Sequence, residues 1–361
     1  MNSLDTPFDV QLTELSTLFE AGKYPRVLAL GRILLNTKIS TVERAQVQWW
    51  LGRTFVVAGE FEQGLRHALA ARMIFAAEHD DRMQARAEMA CVRAFWRLGE
   101  TEQAFVMGNS VVTFARSLQD MQLMSEALRI LGLVYSDVQQ FQDAHEHVGK
   151  ALTFAESGGD QVMVAESINS VGSVLFEEAM QMPQGAERAT RLDMAEARFR
   201  RGLAIGEACK HEPSISTGLG NVGAVLIERG KFEEAYELTR RANAITLAGA
   251  VRTNGAYDLV NLAECEYGMN QKALALETLK KGLAQAERMG MKRVLRYVHG
   301  KLGEWYGLAG ESLLSDEHNN KSHGIANELK RENQDRKDRI QAMVRDVSGT
   351  VTVAHVQREL H

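Results

Sequence analysis

Residues 127–160 read ALRILGLVYSDVQQFQDAHEHVGKALTFAESGGD, and the spacing within this stretch decides the fold. Leu128, Leu131, Gly132 and Tyr135 fall three or four apart, which places them on one face of a helix. After Gln139-Gln140 the same happens again with Phe141, Ala144, Val148 and Ala151. The small residues Gly132, Ala144 and Ala151 sit among the large ones, so two such helices can approach closely. The stretch is therefore a helix, a tight turn and a second helix, closed by the loop Gly158-Gly159-Asp160.

The pattern recurs along the chain every 40 residues. Gly59, Gly99, Gln139 and Ala179 share one slot, and Gly230, Asn270 and Gly310 resume it later. The loop aspartates Asp80, Asp120 and Asp160 keep the same beat. A fixed period of this length marks stacked units, each burying its apolar face against the next, so no single central core is expected. The sixth unit repeats the reading with Leu219, Val222, Gly223, Leu226, Gly230, Phe232, Ala235 and Ala242. Between Ala179 and Gly230 the interval is 51 residues, eleven more than the period. Pro183-Gln184-Gly185 is a turn signal there, so the first helix should run long and the connection should be a substantial loop at about 178–192. That insert reads either as a functional edge or as an ordinary surface loop.

These residues resemble the tetratricopeptide repeat, whose signature places a Trp or Leu, a Leu-Gly pair, a Tyr, a turn Gly and then Ala, Phe and Ala at fixed offsets. The period is longer than is usual in that family and looks like the extended version in kinesin light chains and bacterial regulators. The resemblance implies an all-α, right-handed superhelical solenoid of about eight helix-turn-helix repeats, at 9–40, 43–80, 83–120, 123–160, 163–210, 214–250, 254–289 and 291–324. Residues 1–324 form the array on this reading, 325–347 a charged helical connector or cap, and 348–361 a flexible tail. Leu329, Ile340, Met343 and Val347 could serve as a sparse dimer seam in that helix, or the segment could be a solvated cap.

Composition bounds the function. Four prolines in 361 residues suit an all-helical chain, and Pro7 and Pro25 stand where helices should begin. A net charge of −5 argues against nucleic-acid binding through bulk positive charge. Three scattered cysteines, Cys91, Cys209 and Cys265, point to a reducing compartment. No stretch approaches eighteen apolar residues and the first residues lack a signal-peptide pattern, so a cytoplasmic protein without membrane contact is expected. No P-loop, GxSxG, CxxC or HExxH pattern occurs, and His145 and His147 diverge on their helix. Neither an enzyme activity nor a metal or cofactor is expected.

The family resemblance places the binding groove on the first helix of each repeat. Its lining is then Trp49, Arg53, Met89, Arg93, Trp96 and Arg129 early, and Asn169, Asn221, Tyr257, Asn261 and Glu264 later. The groove is basic and aromatic at one end, and acidic with asparagines at the other. Forty-residue spacing would pair Arg86 with Glu126 and Arg97 with Asp137, leaving Arg53, Arg93 and Arg129 without a rung partner. These three read either as a site for an acidic ligand or as solvated charge. The asparagines could hold a peptide by its backbone, as they do in the arrays this chain resembles, or bond between helices. The expected partner is a protein or peptide, acidic with an apolar anchor, bound by a regulatory scaffold. A second reading takes the chain as the sensory part of a bacterial signalling enzyme, such as a diguanylate cyclase, because residues 325–361 look similar to the connector such enzymes carry.

Overall fold

The computed structural model describes residues 7–248 and 255–331. Ile340, Met343, Val347 and the tail at 348–361 lie outside the described residues. Every regular element among those described is a helix. They pair into eight antiparallel hairpins: α1 (Phe8–Glu20) with α2 (Tyr24–Leu35), α3 (Thr41–Val57) with α4 (Phe61–Ala77), α5 (Asp81–Leu98) with α6 (Thr101–Ser117), and α7 (Met121–Asp137) with α8 (Phe141–Gly158). The later four are α9 (Gln161–Gln181) with α10 (Ala186–Ala208), α11 (Glu212–Glu228) with α12 (Phe232–Leu247), α13 (Gly255–Gly268) with α14 (Lys272–Arg288), and α15 (Lys292–Leu308) with a helical stretch over 312–331, here α16. The chain is a tetratricopeptide-like superhelical solenoid.

The periodic positions have a backbone cause. Gly59, Gly99, Gln139, Gly230, Asn270 and Gly310 all adopt positive φ, between 60° and 83°, where each first helix ends. This left-handed residue frees the chain to turn back, which favours Gly and tolerates Asn. A second series, His79, Gln119, Gly159, Lys210 and Gly290, does the same where each second helix ends. Only two of those five are glycine, which hides the second beat in the sequence. The aspartates that follow have a separate role: Asp80, Asp120 and Asp160 are N-caps, accepting from the backbone N–H of Met83, Leu123 and Met163.

Small residues set the distance between helices. A Cβ added to Gly52 would lie 2.9 Å from the backbone nitrogen of Ala68 and 3.1 Å from the carbonyl oxygen of Gly64. The core runs the length of the array as a chain of linked clusters, with Leu51, Phe55, Phe75, Leu131, Ile168, Leu226, Leu279 and Leu302 fully buried.

The eleven extra residues are not a loop. They extend α9 to 21 residues and α10 to 23, against 17 in most first helices, and only residues 182–185 connect them. Ala179, in the turn slot, is 0% exposed and stays helical. An Ala there has no reason to leave the helix, and Phe176 on α9 and Leu192 on α10 join one apolar cluster that holds the lengthened helices of this hairpin together. Arg188 on the extension reaches Glu228 of the next hairpin at 2.6 Å.

The solenoid coils until its late repeats meet its early ones. Met289, in the turn before α15, packs with Val56, Phe61, Leu65, Ala94 and Leu98. Arg293 on α15 bonds to Asp137 on α7. The first helices thus face a central channel while the second helices form most of the outer wall. Among the described residues no helix is long and apolar enough to cross a membrane.

Candidate functional site

The channel has a volume of about 1840 Å³ and is walled by residues from Phe19 in the first hairpin to Lys330 in the last. Nine of the eleven expected groove residues are on its wall: Arg53, Arg93, Trp96, Arg129, Asn169, Asn221, Tyr257, Asn261 and Glu264. Trp49 and Met89 are not. Trp49 lies in the core and donates Nε1–H to the carbonyl of Arg86 at 3.3 Å, and Met89 is 2% exposed in the core between hairpins. One residue along a helix is a rotation of 100°, and the ring that turns to the channel is the next one, Trp50. Leu329, assigned by sequence to a dimer seam, is also on the channel wall.

The ionic pairing differs from the rung-by-rung expectation. Arg93, not Arg86, takes Glu126, at 2.5 Å, and Arg129 takes Glu166 at 3.0 Å. Neither arginine lacks an acidic partner. Asp137 belongs to Trp96, which donates Nε1–H to it at 3.1 Å, and to Arg293 at 2.5 Å, so it does not take Arg97. These partners lie diagonally across the rungs, Glu166 about one helical turn and Glu126 about two turns short of the forty-residue register, because long arginine side chains reach along the helix.

Electrostatics follow from this pairing. Burial would raise the Glu166 carboxyl, but Arg129 and Arg93 outweigh it and hold its pKa below the usual range. Burial works against the Arg93 charge, yet Glu126 and Glu166 prevail and raise its pKa. Arg53 goes the other way: burial first, then the neighbouring Arg93, outweighs the pull of Glu126 and brings it down to about 10. Its guanidinium sits 4.5 Å from the Phe19 ring centre, 4.9 Å from Trp49 and 5.0 Å from Trp50. Arg97 lies 4.5 Å over Trp96, and burial lowers its pKa as well.

The asparagines divide. Asn261 Nδ2 donates to the Gly220 carbonyl at 3.2 Å and ties α13 to α11. Asn169 is 4% exposed, with its Oδ1 turned against Gly202 of α10. Asn221, between them on α11, makes no hydrogen bond among the described residues and stands in the channel wall. At the acidic end Glu264 accepts from Tyr297 Oη at 2.6 Å and pairs with Lys301 at 3.1 Å. Burial, then Glu264, raises the Tyr297 pKa, so this phenol stays protonated as the donor. Tyr257 is 45% exposed into the channel. Among the described residues no group of three or more His, Cys, Asp or Glu is placed to hold a metal ion.

Sequence reasoning missed Phe19, Tyr24, Trp50 and Glu166. Phe19 and Tyr24 belong to the first hairpin, which departs furthest from the motif. Glu166 could have been found by searching for acids one turn short of the period, since it lies 37 residues from Arg129.

No protein-family model matches the chain, and no curated protein matches its sequence. Solved structures do resemble it. NprR in complex with its cognate peptide NprX superposes with a TM-score of 0.65 at 13% identity, covering 88% of this chain and 87% of that one. A Rap protein complexed with competence and sporulation factor gives 0.62 at 13% identity over 90% and 98%. The Rap conjugation gene regulator of the plasmid pLS20, in complex with the Phr* peptide, gives 0.61 at 13% identity over 82% and 78%. At these identities the likeness establishes the solenoid fold.

Proposed function

We propose that this chain is a regulatory scaffold that holds an extended peptide, or a segment of a partner protein, in its central channel. The size of the channel carries the reading. Small-molecule sites occupy roughly 300–1,000 Å³, whereas this one has about 1840 Å³ and runs past all eight first helices. A metabolite would leave most of such a space wet, while an extended chain can touch successive rungs. The residues proposed for contact are Arg53, Trp96, Asn221, Tyr257 and Glu264. Asn221 offers an amide donor and acceptor suited to a peptide group. Two structural relatives, NprR and the pLS20 regulator, were solved with peptides, which favours a peptide over a metabolite. The array to about residue 324 would supply most of the channel, and the segment after it the link to whatever is regulated.

The test is retention of a randomised hexapeptide pool by the full chain, compared with a variant in which Ser173→Trp and Ala224→Trp fill the channel from two walls. Both positions line the channel and are only half-buried, so the core is spared. The proposal predicts a selected set of peptides on the native protein and its loss on the filled one. Equal retention by both would place binding elsewhere.

A further inference from the structure

The charges at the early end of the channel do not cancel. Four arginines stand there, Arg53 on α3, Arg93 and Arg97 on α5, and Arg129 on α7. Arg93 lies close enough to depress the ionisation of each of the other three. Two carboxylates answer them, Glu126 for Arg93 and Glu166 for Arg129. The third acid within reach, Asp137, is taken by Arg293 and by the Trp96 indole. Among the described residues Arg53 and Arg97 therefore keep a positive charge with no carboxylate paired to it.

How these two are held matters more than that they are unpaired. A solvated surface arginine swings freely and costs little. Arg53 is instead packed among the Phe19, Trp49 and Trp50 rings, and Arg97 rests on Trp96. Stacking engages the flat face of a guanidinium and leaves its in-plane N–H donors uncommitted. Partial burial makes the bare charge costly at both places, and an entering anion would relieve that cost. Aromatic support, in-plane donors and an uncompensated charge together describe a receptor for a planar anion, which a guanidinium binds in a two-pronged manner.

We propose that Arg53 and Arg97, both neighbours of Arg93, bind a carboxylate of the segment occupying the channel, and so fix which end of that segment lies at the early repeats. This rests on the reading of the channel as a peptide site. The carboxylate could be a free C-terminus or an Asp or Glu side chain. Arg93 and Arg129 are excluded as primary ligands because each already holds a glutamate.

The test uses the full chain and three pools of randomised hexapeptides: one with free C-termini, one amidated, and one amidated and lacking Asp and Glu. The expected result is retention of the first pool and at least a tenfold loss of affinity for the third, the order set by one charge-assisted contact. Retention of the amidated pool only through peptides bearing Asp or Glu supports a side-chain carboxylate. Loss of the amidated pool supports a terminal one. Arg53→Gln and Arg97→Gln, each checked for native helicity, should erase the preference between pools, and Arg97→Lys should restore part of it. Equal affinity for all three pools on the native chain overturns the carboxylate site while leaving the peptide channel standing. Failure to retain any pool overturns the channel reading, and the carboxylate site with it. The comparison among pools needs no variant, so a misfolded substitution cannot leave the question open.

Discussion

Asp137 and Arg293 are 156 residues apart in the chain and meet across the channel mouth, with Arg293 Nη1 at 2.5 Å from Asp137 Oδ1 and Nη2 donating to the Asp137 carbonyl at 3.3 Å. An open solenoid has contacts only between neighbouring units. This pair, with Met289 seated on the second and third hairpins, turns the array into a closed turn. Arg293 is 46% exposed on its side chain, so the ion pair itself should add only a few tenths of a kcal/mol to stability. Its effect is on shape. Arg293→Ala combined with Met289→Ser should enlarge the radius of gyration in small-angle X-ray scattering with little change in melting temperature. An unchanged radius would show that closure is fixed by the curvature of the repeats alone.

Close packing of the second hairpin gives a prediction about stability. Gly52→Ala drives a methyl group into the backbone of α4 at Gly64 and Ala68, where nothing flexible can yield. A cost of about 1–3 kcal/mol is expected, read as a lowered urea midpoint. A neutral substitution would mean that α3 and α4 can separate more easily than their geometry implies.

Asp258 on α13 is 2% exposed, and burial pushes its carboxyl up to about 7, against one hydrogen bond from Thr246 Oγ1 at 2.7 Å. An acid whose folded pKa is raised destabilises the fold increasingly as pH climbs from the unfolded value toward the folded one. Asp258→Asn keeps an acceptor for Thr246 and removes that penalty. It should stabilise the protein more at pH 8 than at pH 5, by roughly 1–3 kcal/mol at the higher value. A pH-independent effect would contradict the buried-acid account.

The last hairpin has the opposite sensitivity. His299 on α15 and His318 on α16 face each other, Nδ1 to Nδ1, at 2.8 Å, which requires at least one neutral ring. Burial lowers both pKa values from 6.5; the partner histidine and Lys321 lower His299 further, and Lys321 and Lys280 lower His318 against Glu317. Because the folded values are lowered, the contribution is complete above the ordinary imidazole range and is lost as pH falls through the folded values. Amide exchange in 312–331 should therefore quicken between pH 7 and pH 5 in the native chain, after correction for intrinsic rates, and less so in His318→Gln. Equal acid response in both would remove the histidine pair as its cause.

The repeat period, the all-helical character and the channel-facing side of most first helices were legible in the chain. Each depends on local rules: a left-handed residue where a helix must end, and apolar residues on one face. The pairing of charges was not legible, because Arg93 reaches Glu126 and Arg129 reaches Glu166 on diagonals that the period does not mark. Trp49 and Trp50 are adjacent aromatics, and nothing in the spacing says which of them turns to the core. The meeting of Asp137 and Arg293 depends on the summed rotation of the intervening hairpins, a quantity no motif contains. The long connection expected near Pro183 came from giving a turn signal more weight than the helical spacing of Phe176, Leu192 and Phe199 around it.

The proposed peptide lies along the inner face of the first helices. Hydrogen exchange of the full chain, with and without a peptide selected from the randomised pool, shows whether it does. The structure predicts slowed exchange in α3, α5, α7, α11 and α13, whose residues wall the channel, with the outer helices α4, α6 and α12 unchanged. Protection confined to the outer helices, or bound peptide with no protection on the inner ones, would contradict it.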